Sequence, residues 1–227
     1  MVRGGPWRVG YTRRVQLHRL TFNPFQENTY VLAGDGGRAV VVDPGMSDRA
    51  ERDEFDSFLR KHELELVACW LTHAHIDHVL GVPHVHDAYG LRPRVHPRER
   101  PVYEANPQVA GMYGMALAPL PEPVYDLADD ASAEAPGRSL RQLLAPGHSP
   151  GSICFYDEAS ASLIGGDVLF RESIGRTDLP GGDHDTLLRS VRERVYALPA
   201  ATTVWPGHGP ETTIAHERAN NPFVRAL

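Results

Sequence analysis

Residues 73–78 read His-Ala-His-Ile-Asp-His, which places three imidazoles and one carboxylate within six consecutive positions. Imidazole nitrogens and carboxylate oxygens are ligands that zinc, iron and manganese accept in proteins. The segment follows a predicted buried strand, and polar groups buried without partners are energetically costly. A fold that contains this segment is therefore expected to hold a cation beside it, with His73, His75, Asp77 and His78 as predicted ligands.

Three further candidate ligands occur downstream, each beside glycine. His148 and His208 both follow a Pro-Gly pair, and Asp167 follows two glycines. Glycine allows the backbone to approach a neighbouring group closely, which suits a crowded cluster. A single histidine after such a turn is usually a surface or capping residue, but the 73–78 segment needs ligands from other segments. The chain thus supplies seven potential ligands, enough for two metal ions.

All these candidates lie just after predicted strands. In α/β proteins, segments that leave the strand ends at one edge of a sheet form a shared crevice, where active sites are usually found. His73 and His75 are two residues apart, so in an extended segment their side chains project to the same side. Asp77 and His78 follow as the chain turns into a helix, which directs them elsewhere. One turn can therefore serve two neighbouring metals.

The remaining sequence predicts an α/β fold, with sheets covered by helices in a single domain over residues 1–227. Strands are predicted at 12–20, 29–33, 38–43, 65–71, 140–144, 152–156, 162–164 and 202–205, with a hairpin turn at 34–37. Helices are predicted at 47–62 with Ser47 as N-cap, at 77–89, at 183–198, and in a short segment that begins near Glu211. Residues 106–123 mix proline, glycine and methionine, which predicts an irregular loop that overhangs the site.

Composition narrows the function classes. The 227 residues have a formal net charge of −6, which argues against a general nucleic-acid binder. No stretch approaches the ~20 apolar residues of a membrane span, and no signal peptide is visible, so a cytoplasmic location is expected by default. Cys69 and Cys154 lie in apolar runs and are predicted to be buried free thiols. We interpret the other histidines as ordinary polar residues: His18, His62, His84, His86, His96, His184 and His216.

The H-x-H-x-D-H pattern at 73–78, followed by His148, Asp167 and His208, resembles the metallo-β-lactamase fold superfamily. A Val-Val-Asp-Pro-Gly block at Asp43 adds to the match, which spans about 21–223. The resemblance implies a four-layer αββα sandwich with the site along one edge. It also implies one metal held by His73, His75 and His148, a second held by Asp77, His78 and His208, and Asp167 as a bridge between the two ions.

Within that superfamily the chain looks most like the short glyoxalase II-type hydrolases, through the segments 22–28, 146–151, 175–178 and 206–210. The resemblance implies a hydroxyacylglutathione hydrolase-like enzyme with two divalent ions, zinc foremost and iron or manganese as alternatives. A metal-bound water loses its proton near pH ~7 and can attack a thioester such as S-lactoylglutathione. Asp77 is the candidate catalytic residue that manages this proton. Arg176 is a candidate for binding a substrate carboxylate, with a structural ion pair as the alternative.

Two other functions stay open from the sequence. An iron-dependent persulfide dioxygenase shares the fold and the Gly-Arg-Thr-Asp segment at 175–178, and would hold one iron on His73, His148 and Asp167. We favour the hydrolase because the residues after His208 are Gly-Pro, which departs from the dioxygenase pattern. A non-catalytic metal-binding protein is the third alternative, but it would be expected to lack a ligand, and the predicted set is intact. The partner is expected to be a small molecule rather than a nucleic acid or a membrane.

Overall fold

The computed structural model describes residues 16–225, and it shows two β-sheets that face each other and are covered by helices. The strands of the first sheet are β1 Gln16–Phe22, β2 Glu27–Ala33, β3 Arg38–Val42, β4 Glu65–Trp70 and β5 Pro93–Arg94, in the order 1-2-3-4-5. The second sheet contains β6 Ser132–Ala135, β7 Arg138–Leu144, β8 Ile153–Asp157, β9 Ser162–Gly166, β12 Thr203–Pro206 and β13 Thr212–Thr213, in the order 13-12-9-8-7-6. A small ribbon pairs β10 Leu169–Phe170 with β11 Ser173–Ile174.

The helices are α1 Arg49–Lys61, α2 Ile76–Val79, α3 Val82–Tyr89, α4 Arg100–Met112, α5 His184–Ser190 and α6 Ile214–Asn220. A π-helical turn at Val191–Val195 continues α5, and short 3₁₀ turns occur at Asp35–Gly37 and Pro97–Glu99. Within residues 16–225, no helix combines the length and apolar character that crossing a bilayer requires.

Buried side chains show that the architecture has four layers. Trp70 of the first sheet stacks on Phe155 of the second, with ring centroids 5.0 Å apart, so the two sheets share an apolar core. On the outer face of the first sheet, Phe55 of α1 packs into a second buried cluster. Leu187 of α5 does the same on the outer face of the second sheet. The predicted α/β class and the αββα order are confirmed.

Most predicted elements are present, with shifted ends. The β2–β3 hairpin is confirmed, while the predicted strand at 12–20 can be compared only from Gln16, because residues 12–15 lie outside the described part. The predicted helix 77–89 is divided into α2 and α3 at Gly81, where an added Cβ would crowd the Pro44 carbonyl. The short strands β5, β6, β10, β11 and β13 were not predicted. Cys69 and Cys154 are buried free thiols, as expected.

The predicted N-cap of α1 was wrong by one residue. Asp48 has extended backbone angles, and its carboxylate accepts a hydrogen bond from the Glu51 amide, so Asp48 is the N-cap. The Ser47 hydroxyl instead donates to the Glu51 side chain at 2.8 Å. Serine and aspartate are both common N-cap residues, so the local pattern alone did not distinguish Ser47 from Asp48.

The prediction of an irregular loop at 106–123 was wrong for its first part, which belongs to α4. Proline inside a helix removes one backbone hydrogen bond and usually disrupts the helix. Here the side-chain amide of Asn106 donates to the Tyr103 carbonyl, the group that the missing Pro107 N–H would have satisfied, at 3.2 Å. It also donates to the Ala74 carbonyl at 2.9 Å. These contacts hold α4 beside the 73–78 segment.

Candidate metal centre

Most of the predicted ligands lie just after the carboxyl ends of strands, at one edge of the sandwich. His73 and His75 follow β4, His148 follows β7, Asp167 follows β9 and His208 follows β12. In the second sheet, β9 is parallel to β12, and β8 is antiparallel to both β7 and β9. The strands β7, β9 and β12 therefore run in one direction, and the segments after them meet.

The first group of candidate ligands consists of His73, His75 and His148. Nε2 of His148 lies 2.8 Å from Nδ1 of His75 and 3.2 Å from Nε2 of His73. The other nitrogen of His148, Nδ1, lies 2.7 Å from the Arg176 carbonyl, so it carries the proton and donates it there. That hydrogen bond leaves the Nε2 lone pair of His148 directed at the other two rings.

The second group consists of Asp77, His78 and His208. Oδ2 of Asp77 lies 3.0 Å from Nε2 of His208 and 3.7 Å from Nε2 of His78. Nδ1 of His208 lies 3.0 Å from the Phe25 carbonyl, so this ring is also oriented by a backbone acceptor. As the sequence predicted, the turn at 73–78 contributes to both groups.

Asp167 lies between the two groups. Its Oδ2 is 3.5 Å from Nε2 of His148 in the first group and 3.5 Å from Nε2 of His208 in the second. Its Oδ1 is 3.4 Å from Nε2 of His78. Gly207 permits this packing, because a Cβ there would collide with Oδ1 of Asp167. The seven predicted residues are thus brought together, and their ligand roles stay predictions.

The protonation chemistry of the first group fits a cation. Burial, and the neighbouring His148, lower the pKa of His75 to about 3. Burial also lowers the pKa of His73 and of His148, so all three rings are neutral at pH 7. Neutral rings whose nitrogens meet at 2.8–3.2 Å cannot all be satisfied as hydrogen-bond donors and acceptors to one another. A metal ion accepts several such lone pairs at once.

The second group also fits a cation, through its negative charge. Burial alone would lower the pKa of His78, but the carboxylates of Asp77, Asp167 and Asp43 raise it well above its ordinary value. These buried carboxylates therefore require positive charge between them. Within the part of the chain that the structure describes, Nε2 of His78 and Oδ1 of Asp167 have no hydrogen-bond partner although both are buried. Such orphaned atoms are expected of groups that hold an ion.

Asp43 lies next to the second ligand group and contacts Thr72 and His78. Its Oδ1 accepts a hydrogen bond from the Thr72 amide at 2.7 Å, and its Oδ2 accepts one from the Thr72 hydroxyl at 2.6 Å. The same Oδ2 lies 3.1 Å from Nδ1 of His78. The carboxylate of Asp43 therefore places negative charge beside the His78 ring, whose Nδ1 has no hydrogen-bond partner among the described residues. The sequence resemblance included Asp43 but did not assign it this position.

Sequence reasoning missed Glu99, which is fully buried and bonded to both segments of the first group. Its carboxylate accepts hydrogen bonds from the Ala74 amide at 2.8 Å, from the Ser149 hydroxyl at 2.6 Å and from the Gly151 amide at 2.6 Å. Glu99 lies in an arginine- and proline-rich run that gives no sign of burial. No local pattern could have identified it.

Arg176 lines the same cavity as the ligands, and its guanidinium forms two hydrogen bonds of 2.7 Å with Asp178. This is the structural ion pair that the sequence left as the alternative, and a substrate role for Arg176 stays a prediction. Among residues 16–225, the groups of side chains spaced to hold a metal contain none of the other histidines. For example, His84 instead bonds Asp56 at 2.8 Å.

Comparison with known proteins agrees with this geometry. The model of the metallo-beta-lactamase superfamily matches residues 22–208, which include every candidate ligand. This chain belongs to the metallo-beta-lactamase superfamily. The resemblance of the sequence to this superfamily is therefore confirmed.

Two curated relatives and one solved structure illustrate how similar other proteins are to this chain. "Probable metallo-hydrolase YqgX" of Bacillus subtilis is 35% identical over 94% of this chain and 99% of its own. "Hydroxyacylglutathione hydrolase GloC" of Haemophilus influenzae is 31% identical over 89% of this chain and 94% of its own. The crystal structure of TTHA1623 in a di-iron-bound form is 39% identical, covers 91% of this chain and 100% of its own, and has a TM-score of 0.82.

Proposed function

We propose that this protein is a metal-dependent hydrolase that cleaves thioesters, with S-lactoylglutathione as the first substrate to test. The observation that carries the proposal is the position of Asp167, 3.5 Å from a histidine of each ligand group. Such an arrangement supports two adjacent ions at the base of a cavity. The 31% identity to GloC over nearly the full length of both chains supports the thioester part.

Under this proposal, one ion would be held by His73, His75 and His148. The other would be held by Asp77, His78 and His208, and Asp167 would contact both. Imidazole and carboxylate donors suit zinc, and they also suit iron and manganese. When bound, a pair of divalent ions supplies Lewis acidity and generates a nucleophile from water near neutral pH. The relative crystallised with two irons makes iron a serious alternative to zinc for the native metal.

The chain itself supplies a group that can accept a proton. Asp77 lines the cavity, and only 14% of its side chain is exposed. Burial would raise the pKa of its carboxyl group, but His78 and the hydrogen bond from His208 lower it, so Asp77 is ionised at neutral pH and can accept a proton. Thioester cleavage needs little more, because a thiol of pKa about 8.5 departs as the thiolate. An amide or β-lactam nitrogen would also need a proton donor.

The test combines metal analysis with three assays on protein purified without added zinc. We expect about two ions per chain, hydrolysis of S-lactoylglutathione, little turnover of a chromogenic β-lactam, and no oxygen uptake with glutathione persulfide. One iron per chain and oxygen uptake without thioester hydrolysis would replace the hydrolase by the dioxygenase. Metal binding without any of these activities would support the non-catalytic alternative.

Asp167→Ala is the decisive variant, because it removes the contact between the two ligand groups. We expect it to bind fewer than two ions and to lose at least a hundredfold in kcat/KM. Asp53→Ala is the matched control, since Asp53 lies on α1 with 69% of its side chain exposed and, among the described residues, pairs only with exposed Arg49. Two bound ions and full activity in Asp167→Ala would remove the bridging assignment.

A further inference from the structure

The candidate metal centre opens into a cavity of about 630 Å³. His75, Asp77, His148, Asp167 and His208 form its polar end. A volume of this size is typical of sites that enclose a small molecule. Because the cavity is continuous with the ligand cluster, a substrate whose reactive bond lies at the metals must place one of its ends in this cavity.

The walls of the cavity are mostly apolar. Val102, Ala105 and Val109 face it from α4, and Phe170 faces it from β10. At its rim, Phe25 and Tyr113 pack edge to face with ring centroids 5.4 Å apart, and they are 36% and 51% exposed. Large aromatic side chains that remain exposed beside a cavity gain free energy when an apolar group covers them.

The charges around the cavity do not match glutathione. Glutathione carries two carboxylates and one ammonium group, so a site built for it is expected to offer unpaired cationic side chains. Among the described residues that line this cavity, Arg176 is the one lysine or arginine. Its guanidinium is already bonded twice to Asp178 at 2.7 Å. A neutral, apolar group fits these surroundings better than a charged one.

We propose that the cavity binds the acyl chain of a thioester, and that the preferred substrates carry apolar acyl groups much longer than acetyl, such as octanoyl. This inference rests on the proposed thioester hydrolase function and specifies its substrate class. The carbonyl carbon lies at the metal centre, the acyl chain runs along α4 towards Phe25 and Tyr113, and the thiol departs towards solvent. Under this arrangement the thiol contributes little to recognition.

The first test is a series of acetyl, butyryl, hexanoyl and octanoyl thioesters of one small neutral thiol, N-acetylcysteamine, measured beside S-lactoylglutathione. Full burial of one methylene corresponds to a factor of about four. Because this cavity is partly open, we expect kcat/KM to rise about thirtyfold or more from acetyl to octanoyl. The octanoyl ester should also be cleaved more efficiently than S-lactoylglutathione.

The outcomes separate this inference from the proposed function. Hydrolysis that is independent of chain length, or that favours S-lactoylglutathione over the octanoyl ester, overturns the acyl-chain assignment and leaves the thioesterase in place. Failure to cleave any thioester with both ions bound overturns the two proposals together. Because the series uses the wild-type protein, its result does not depend on whether a variant folds.

A pair of variants on α4 locates the binding surface. Ala105→Trp fills the cavity, and we expect it to reduce the octanoyl-to-acetyl ratio of kcat/KM by tenfold or more. Gln108→Trp places the same side chain at an exposed position of the same helix that does not line the cavity, and it should keep the wild-type ratio. Equal ratios in the two variants would exclude this cavity as the acyl-binding surface.

Discussion

Glu99 provides the sharpest test of how the first ligand group is held together, and Glu99→Gln is the perturbation. Its carboxylate accepts three hydrogen bonds. One comes from the amide of Ala74, which lies between two candidate ligands, and the others come from the Ser149 hydroxyl and the Gly151 amide, which follow His148. A carboxylate can accept all of them. A glutamine amide would direct its NH₂ group at one of these donors.

The expected loss in the free energy of unfolding has two sources. One hydrogen bond to a charged group is lost, and one buried donor is left without an acceptor. Together these cost about 2–4 kcal/mol. In a protein of this size, that corresponds to a fall of roughly 4–16 °C in the thermal midpoint. Burial raises the pKa of Glu99, and the hydrogen bonds from Ser149, Gly151 and Ala74 offset this only in part. The burial of this charge therefore reduces the net stabilisation that the three hydrogen bonds provide.

We expect Glu99→Gln to weaken metal binding to the first group by about tenfold to a hundredfold, as is typical when a partner behind the ligands is removed. Competitive titration with a chromophoric chelator measures this affinity, and thermal unfolding of the metal-free protein measures stability separately. Glu104→Gln is the matched control, because the exposed carboxylate of Glu104 pairs with Arg100 at the start of α4 and with no other residue of the described range. Destabilisation of Glu99→Gln with unchanged metal affinity would refute the positioning role.

Three further predictions concern other parts of the molecule. Asp43→Asn keeps a residue that tolerates the positive φ of 52° but removes a negative charge 3.1 Å from Nδ1 of His78. Chelator titration should therefore show binding at the second ligand group that is weaker by about tenfold to a hundredfold. Removal of metal with a chelator should lower the thermal midpoint, and added zinc should restore it, because ions that bind only the folded state stabilise it; an unchanged midpoint would contradict the ligand assignments. Burial, and the neighbouring His62, lower the pKa of His18 below 6.5, so below pH 6.5 the unfolded state binds more protons there. Its contribution to stability is therefore lost as the pH falls from 6.5 through the folded-state pKa, and unfolding titrations should show a weaker decline in His18→Gln than in wild type.

The candidate ligands could be picked out from the sequence because the strongest signal for them is local. The 73–78 segment places four candidate ligands within six residues, and the strand before it is mostly apolar. Alternation and turn chemistry likewise predicted most strands, since these patterns depend on residues only a few positions apart. The division of the ligands into two groups and the order of the layers were expected from the resemblance to the superfamily. The structure confirmed the order of the layers.

The tertiary structure alone decided what depends on contacts between distant segments. Glu99 meets the backbone of Ala74 across 25 residues and the hydroxyl of Ser149 across 50, and no short-range pattern records such a pairing. The helix at Arg100–Met112 continues through Pro107, which has no N–H to donate. The Asn106 side-chain amide donates instead to the Tyr103 carbonyl that this N–H would have bonded. Local sequence therefore determined which groups could bind a metal, whereas long-range packing determined how they are held and what kind of cavity they face.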